Sequence, residues 1–193
     1  MQEDQKALNR ILTQCKRGKR KSQKQLYKMF YGYGMNIALR FSQNRGDSEE
    51  ILNDSFLKVF SNLDKFDKQK SFKAWFRKIL IRTAIDHYRS KKMSQGRIVP
   101  FSESQDIEAQ DDLLIQLFPE GEVLPAIQSL PPTYRLVFNL YVMEGYQHKE
   151  IAKKLGISET TSRSNLSRAR LALRKWMSKY ATELTESYSK AHE

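Results

Sequence analysis

The sequence predicts an all-α protein of two small helical domains joined by an acidic linker. Apolar residues recur at three- and four-residue spacing along most of the chain, with few alternating stretches. The 193 residues include only 8 Gly and 5 Pro, which favours long helices over a turn-rich sheet. Between Arg97 and Arg135 there is no Lys or Arg, while Glu103, Asp106, Glu108, Asp111, Asp112, Glu120 and Glu122 accumulate. That change of character divides the chain into a first domain at 1–93, a linker at 94–121, a second domain at 122–180 and a polar tail at 181–193. With 39% hydrophobic and 11% aromatic residues, one or two small cores can be built.

The first helix is expected over residues 4–17, where Leu8, Ile11, Leu12 and Cys15 share a face. The basic run 17–24 that follows is either a solvated face or a DNA-backbone contact. From Ser22 a second helix carries Leu26, Met29, Phe30, Tyr33, Ile37 and Phe41 along one side. Gly32 and Gly34 inside it cost about 1 kcal/mol each relative to Ala, which points to close packing or a kink.

Asp47 opens the third helix in a capping-box pattern with Glu50. Leu52, Phe56, Val59, Phe60 and Leu63 form its apolar stripe, and Glu49, Glu50, Asn53, Asp54 and Lys58 its other face. An acidic face on a basic protein does not serve DNA; it is solvated surface or a docking face for another protein. The fourth helix, within SFKAWFRKILIRTAIDHYRSKK, turns Phe72, Trp75, Phe76, Ile79, Leu80, Thr83 and Ala84 toward a core. Lys73, Arg77, Lys78, Arg82, Arg89, Lys91 and Lys92 flank it. Cations interleaved with aromatics suit single-stranded nucleic acid, with Tyr88 the better stacking candidate because most of the rings belong to the core.

Beyond the linker, Leu130, Pro131 and Pro132 mark a helix start, and Leu136, Val137, Leu140 and Tyr141 its inner face, as far as Gly145. Residues 149–155 form a short helix with Ile151, Ala152 and Leu155 inward. Gly156 supplies a left-handed turn, and Ser158 caps a second helix from Glu159. That helix buries Ser162, Leu166, Ala169 and Leu173 and turns Thr161, Arg163, Ser164, Ser167, Arg168 and Arg170 outward. Two short helices about a Gly turn, the second rich in Arg, Ser and Thr, is the helix-turn-helix pattern, whose second helix enters the major groove.

The formal charge of +12 and pI near 9.7 call for a polyanionic partner, nucleic acid first. Cys15 is the only cysteine, which excludes an internal disulfide and fits a reducing cytoplasm. The start MQEDQKALNR lacks a signal-peptide layout, and no window approaches the ~20 apolar residues of a membrane span. His87, His148 and His192 are scattered, and there is no Gly-rich phosphate loop. No catalytic residue, metal site or cofactor is therefore expected.

Two segments in this order, DSEEILNDSFLKVFSNLDKF with SFKAWFRKILIRTAIDHYRSKK, and LPPTYRLVFNLYVMEGYQHKEIAKKLGISETTSRSNLSRARLALRKW, resemble the extracytoplasmic-function (group 4) branch of the bacterial sigma-70 family. The resemblance implies a factor that brings core RNA polymerase to promoters and opens them. It implies that Glu49, Glu50, Asn53, Asp54 and Lys58 dock on the clamp coiled coil of the large polymerase subunit. Asn62, Lys65 and Lys70 would lie in or beside the loop that captures a base flipped from the −10 element. Arg77, Lys78, Arg82, Tyr88 and Arg89 would hold the melted strand. Thr161, Arg163, Ser164, Ser167 and Arg168 would face the −35 element. An anti-sigma factor is a further partner the resemblance implies, and the linker would thread toward the polymerase channels. Many members carry Val at the position of Ser162, Gln at that of Asn53 and Arg at that of Asn165. Two other readings stay open on the residues alone: a stand-alone helix-turn-helix regulator that binds duplex DNA, and a nucleic-acid binder that uses charge without sequence preference.

Overall fold

The computed structural model describes residues 2–94, 118, 119 and 121–190. All regular structure among them is helical. Packing divides the chain into two units, Met1–Lys91 and Lys92–Glu193. Most of the acidic stretch 94–121 lies outside the described residues.

In the first unit, α1 (Gln2–Lys16), α2 (Arg20–Phe41), α3 (Arg45–Asn62) and α4 (Phe72–Ser94) surround one core. Leu12 and Cys15 of α1, Leu26 and Ile37 of α2, Leu52, Phe56 and Val59 of α3, and Phe72, Phe76 and Leu80 of α4 are its buried centre. The apolar stripe of α3 is buried as its spacing predicts at Leu52, Phe56, Val59 and Leu63, the last in the 3₁₀ turn Leu63–Lys65 that follows, while Phe60 is half-buried. Burial pushes the Cys15 thiol up to about 11. It stays protonated and serves as a small apolar side chain.

Two expectations for these helices are corrected. Met29 is 51% exposed rather than part of the α2 stripe. Gly34, Met35 and Ala38 are buried in α2 and widen the inner face on the side away from it. Helix α3 begins at Arg45, and its cap is Asn44, whose side-chain oxygen accepts the Asp47 N–H at 2.8 Å. Asn44 offers the same capping chemistry one turn earlier than Asp47, so the helix gains that turn.

The glycine pair of α2 separates into two cases. A Cβ on Gly34 would lie 2.5 Å from Cδ1 of Leu52 and 3.2 Å from the Phe76 ring, whereas one on Gly32 meets nothing within 4 Å. Gly34→Ala is expected to destabilise the unit by about 1–2 kcal/mol, overpacking outweighing helix propensity. Gly32→Ala is expected to stabilise it by about 0.5–1 kcal/mol. Equal midpoints for the two variants in a urea melt would contradict both assignments.

The second unit contains α5 (Val123–Ser129), α6 (Pro132–Phe138), a π-helical segment (Asn139–Met143), α7 (His148–Leu155) and α8 (Glu159–Lys190). Helix α5 has no counterpart in the periodicity reading, because seven residues interrupted by Pro125 are too short to show a period. Pro125 is tolerated because it sits in the first turn, where the N–H groups have no intrahelical partner. Helix α6 starts with Pro132 at its first turn, as expected. Gly145 (φ 73°) closes the π segment, its N–H donating to the Tyr141 carbonyl at 3.2 Å. Helix α8 runs to Lys190, well past the expected fraying at Ala181. Residues 181–190 hold no Gly or Pro to stop it.

Candidate nucleic-acid interface

In the second unit, α7 and α8 meet across a turn built as its residues require. Gly156 has φ 67° and ψ 41°, and its N–H donates to the Ala152 carbonyl at 2.9 Å. Ser158 Oγ accepts the Thr161 N–H at 2.9 Å and lies 2.8 Å from the Thr161 hydroxyl. At the other end of the motif, the Glu150 carboxylate accepts the Gln147 N–H at 2.9 Å. Ile151 and Ala152 are buried, while Leu155 is half-buried. Ser162, Leu166, Ala169 and Leu173 form the inner face of α8 as expected.

The outer face differs from the expected one. Arg163 is exposed, with Glu159 3.7 Å from its guanidinium, and Ser164 and Ser167 are half-buried beside it. Arg168 is half-buried and donates to the Tyr134 hydroxyl at 3.5 Å, so part of its guanidinium is engaged with α6. Arg170 lies over the Tyr141 ring at 6.0 Å. Thr161 is half-buried, its hydroxyl drawn into the cap. Thr160, absent from the expected set, is exposed one turn before Arg163, and Leu171 is 42% exposed further along the helix. Asn165 is buried at 6%, so it does not present its amide to a base.

The polar inner-face residue Ser162 is satisfied. Its hydroxyl lies 2.9 Å from Nδ1 of His148, whose ring stacks on Tyr141 at 4.6 Å. His148 and Ser162 thus form a buried polar pair between α7 and α8. Burial first, then the charges of Arg163 and Arg170, hold the His148 pKa below the usual 6.5, with Glu159 opposing them. The folded unit therefore binds fewer protons than the unfolded chain between the lowered value and 6.5. Its stability is expected to be constant above that window and to fall as pH drops through it. His148→Gln should flatten this dependence; an unchanged pH profile of the melting midpoint would exclude His148 as its source.

In the first unit, α4 presents Lys78, Arg82 and Arg89 as exposed residues at i, i+4 and i+11, with Arg77 and Tyr88 half-buried alongside. Asn62 is half-buried, its amide donating to the Lys58 carbonyl at 2.8 Å. Lys65 and Lys70 are exposed in the connection to α4, with Lys70 3.8 Å from Asp67. Phe66 anchors that connection, its ring 5.6 Å from Phe72 and 5.0 Å from Trp75. Trp75 is half-buried at the edge of the core, a ring placed where it can be shared with a base. The ammonium of Lys73 sits 4.6 Å above Tyr33.

On α3, Glu50, Asn53 and Asp54 are exposed, and Leu57 among them is 63% exposed. Sequence periodicity leaves Leu57 outside the core stripe but does not mark it as a site. Asn53 accepts from the Tyr27 hydroxyl at 3.0 Å, and Glu49 accepts from Arg45 at 2.9 Å. Lys58 turns away from this face and pairs with Asp86 of α4 at 3.1 Å. Donor atoms of Asp47, Glu50 and His87 lie within 4.8 Å of one another. The Lys91 ammonium already stands 2.5 Å from Asp47 and supplies positive charge there.

Residues 26–93 match the family model for sigma-70 region 2, and residues 121–173 that for sigma-70, region 4. The chain belongs to the extracytoplasmic-function branch of the sigma-70 family. This sigma-family chain is 26% identical over 155 residues to the ECF RNA polymerase sigma factor SigE of Mycolicibacterium smegmatis, covering 78% of the chain and 60% of that relative. It is 28% identical over 141 residues to the RNA polymerase sigma factor SigV of Bacillus subtilis, covering 69% and 77%. The solved structure of the sigma factor RpoE with the anti-sigma factor NepR from Bartonella quintana aligns at 23% identity with a TM-score of 0.48, covering 80% of this chain and 96% of that one. No helix among the described residues is long and apolar enough to cross a membrane.

Proposed function

We propose that this chain is the promoter-specificity subunit of a bacterial RNA polymerase, acting in the cytoplasm, and that it makes and breaks no covalent bond itself. The observation that carries the reading is the presence in one chain, in family order, of a region 2 unit with a basic helical stripe and a region 4 helix-turn-helix. Each unit has a separate task. The exposed face of α3, Glu49, Glu50, Asn53 and Asp54 with Leu57, docks on the clamp coiled coil of the large polymerase subunit. Lys78, Arg82 and Arg89 track the phosphates of the melted −10 strand, while Trp75, Tyr88 and the 62–70 connection receive its bases. Arg163, Ser164 and Ser167 face the −35 element, with Thr160 added and Arg168 contributing from the α6 side.

The work done is indirect. Docking energy and captured bases offset the few kcal/mol needed to unstack and unpair a base step, and the second unit fixes the position on the duplex. No metal or nucleotide enters this scheme. An anti-sigma factor that covers these same surfaces is the regulator such a subunit calls for.

The test is a size-exclusion titration of the full chain against bacterial core RNA polymerase, followed by transcription from a pooled genomic library. Saturable one-to-one binding, with start sites that share two separated elements, is the expected result. Absence of a core complex together with specific retention of duplex DNA by the chain alone would instead make it a stand-alone regulator. Binding without sequence preference that collapses with salt would leave only charge.

A further inference from the structure

Helix α4 carries a single acidic residue between Phe72 and Ser94, and it stands on the exposed basic stripe. Asp86 lies one turn after Arg82 and three residues before Arg89, the spacing at which helical side chains are neighbours. A carboxylate there would compete with a phosphate for both guanidinium groups and repel the strand. Lys58, from α3, reaches across to it at 3.1 Å. The two side chains remain 43% and 48% exposed, and an ion pair that exposed contributes little to folding. Its effect falls on whatever approaches the stripe within a Debye length of about 8 Å.

We propose that Lys58 is a positioning residue of the strand-binding face: its ammonium neutralises Asp86, so that Lys78, Arg82 and Arg89 present uninterrupted positive charge to single-stranded DNA. The inference rests on the strand-binding role given to α4 above. It moves Lys58 from the polymerase-docking face, where the family resemblance puts it, to the DNA side of the same unit. It also explains why an acidic residue is tolerated in the middle of a basic stripe.

The experiment is a double-mutant cycle on the full chain with fluorescein-labelled dT20 as the probe, read by anisotropy over a salt series, with core polymerase affinity measured in parallel. Lys58→Gln is expected to weaken dT20 binding about fivefold, the weight of one unit charge a few ångströms away in water. In an Asp86→Asn background the same change should cost less than about twofold, because no carboxylate is left to compete with the phosphates for Arg82 and Arg89. Lys58→Arg should keep wild-type affinity, and core affinity should not move with Lys58→Gln. Equal effects of Lys58→Gln with and without Asp86 would overturn the coupling and leave Lys58 as one charge among many. A large loss of core affinity with dT20 binding unchanged would return Lys58 to the docking face. Failure of the wild-type chain to bind dT20 would remove the strand-binding reading itself, and the proposal with it.

Discussion

Glu50→Lys combined with Asp54→Lys is expected to abolish binding to core RNA polymerase, by more than about 100-fold, with the helical content and melting of the chain unchanged. Both carboxylates are exposed on α3, and neither is part of the core. Asp54 makes no hydrogen bond or ion pair among the described residues, and Glu50 has only His87 at 3.8 Å. Reversal therefore disturbs little inside the unit, while it sets two like charges against any basic partner surface, at several kcal/mol for close pairs. Leu57→Ala is the companion change. A side chain 63% exposed one turn after Asp54 contributes little to the fold, yet burying it against a partner is worth about 1.5–3 kcal/mol. The loss should appear in the dissociation rate, whereas the charge reversals should also slow association and show salt dependence. Unchanged core affinity in the double reversal would take the α3 face out of the interface.

What the sequence made legible was whatever a period of 3.6 or a single local rule controls. The stripe Leu52, Phe56, Val59, Leu63 and the inner face Ser162, Leu166, Ala169, Leu173 are buried as their spacing requires. Gly156 and Ser158 perform the turn and cap that their chemistry suits best. The misreadings arise where a tertiary partner outside the window decides. Met29 fits the α2 spacing but is left outside the core. Arg168 reads as an outward cation until Tyr134, thirty-four residues away, is placed beside it. Asn165, where many family members carry Arg, is buried once α8 is seated. Ser162 reads as a defect in an apolar face until His148 supplies its partner.

The same blindness to distant partners hides the second unit's most consequential side chain. Arg135→Ala is expected to unfold the second unit at moderate temperature while the first keeps its stability. Periodicity places Arg135 on the polar side of α6, yet it is among the most buried large side chains, at 1% exposure. Its Nε donates to the Ile127 carbonyl at 3.2 Å, and one terminal nitrogen donates to the carbonyls of Gln128 and Leu130, each at 2.6 Å. These are the carbonyls at the C-terminal end of α5 and its cap, where the negative end of the helix dipole lies, and the Ile127 carbonyl also accepts the Leu130 N–H at 3.2 Å. A guanidinium satisfies several of them at once because its donors form a rigid fork; an ammonium offers three donors from one atom on a flexible stem, and an apolar side chain offers none. Truncation removes the guanidinium donors from three carbonyls and leaves a cavity, a loss of about 3–5 kcal/mol. At roughly 4–8 °C per kcal/mol for a unit this small, the midpoint should fall by more than about 10 °C. Each unit holds one tryptophan, Trp75 in the first and Trp176 in the second, so Trp176 fluorescence in a Trp75→Phe background reports the second unit alone. Arg135→Met separates the two contributions, since it restores much of the volume but none of the donors: a midpoint near that of Arg135→Ala assigns the stability to the carbonyl cap, and one near wild type assigns it to packing. Because α5 packs on α8, loss of the cap should also weaken upstream promoter contacts while core binding by the first unit persists.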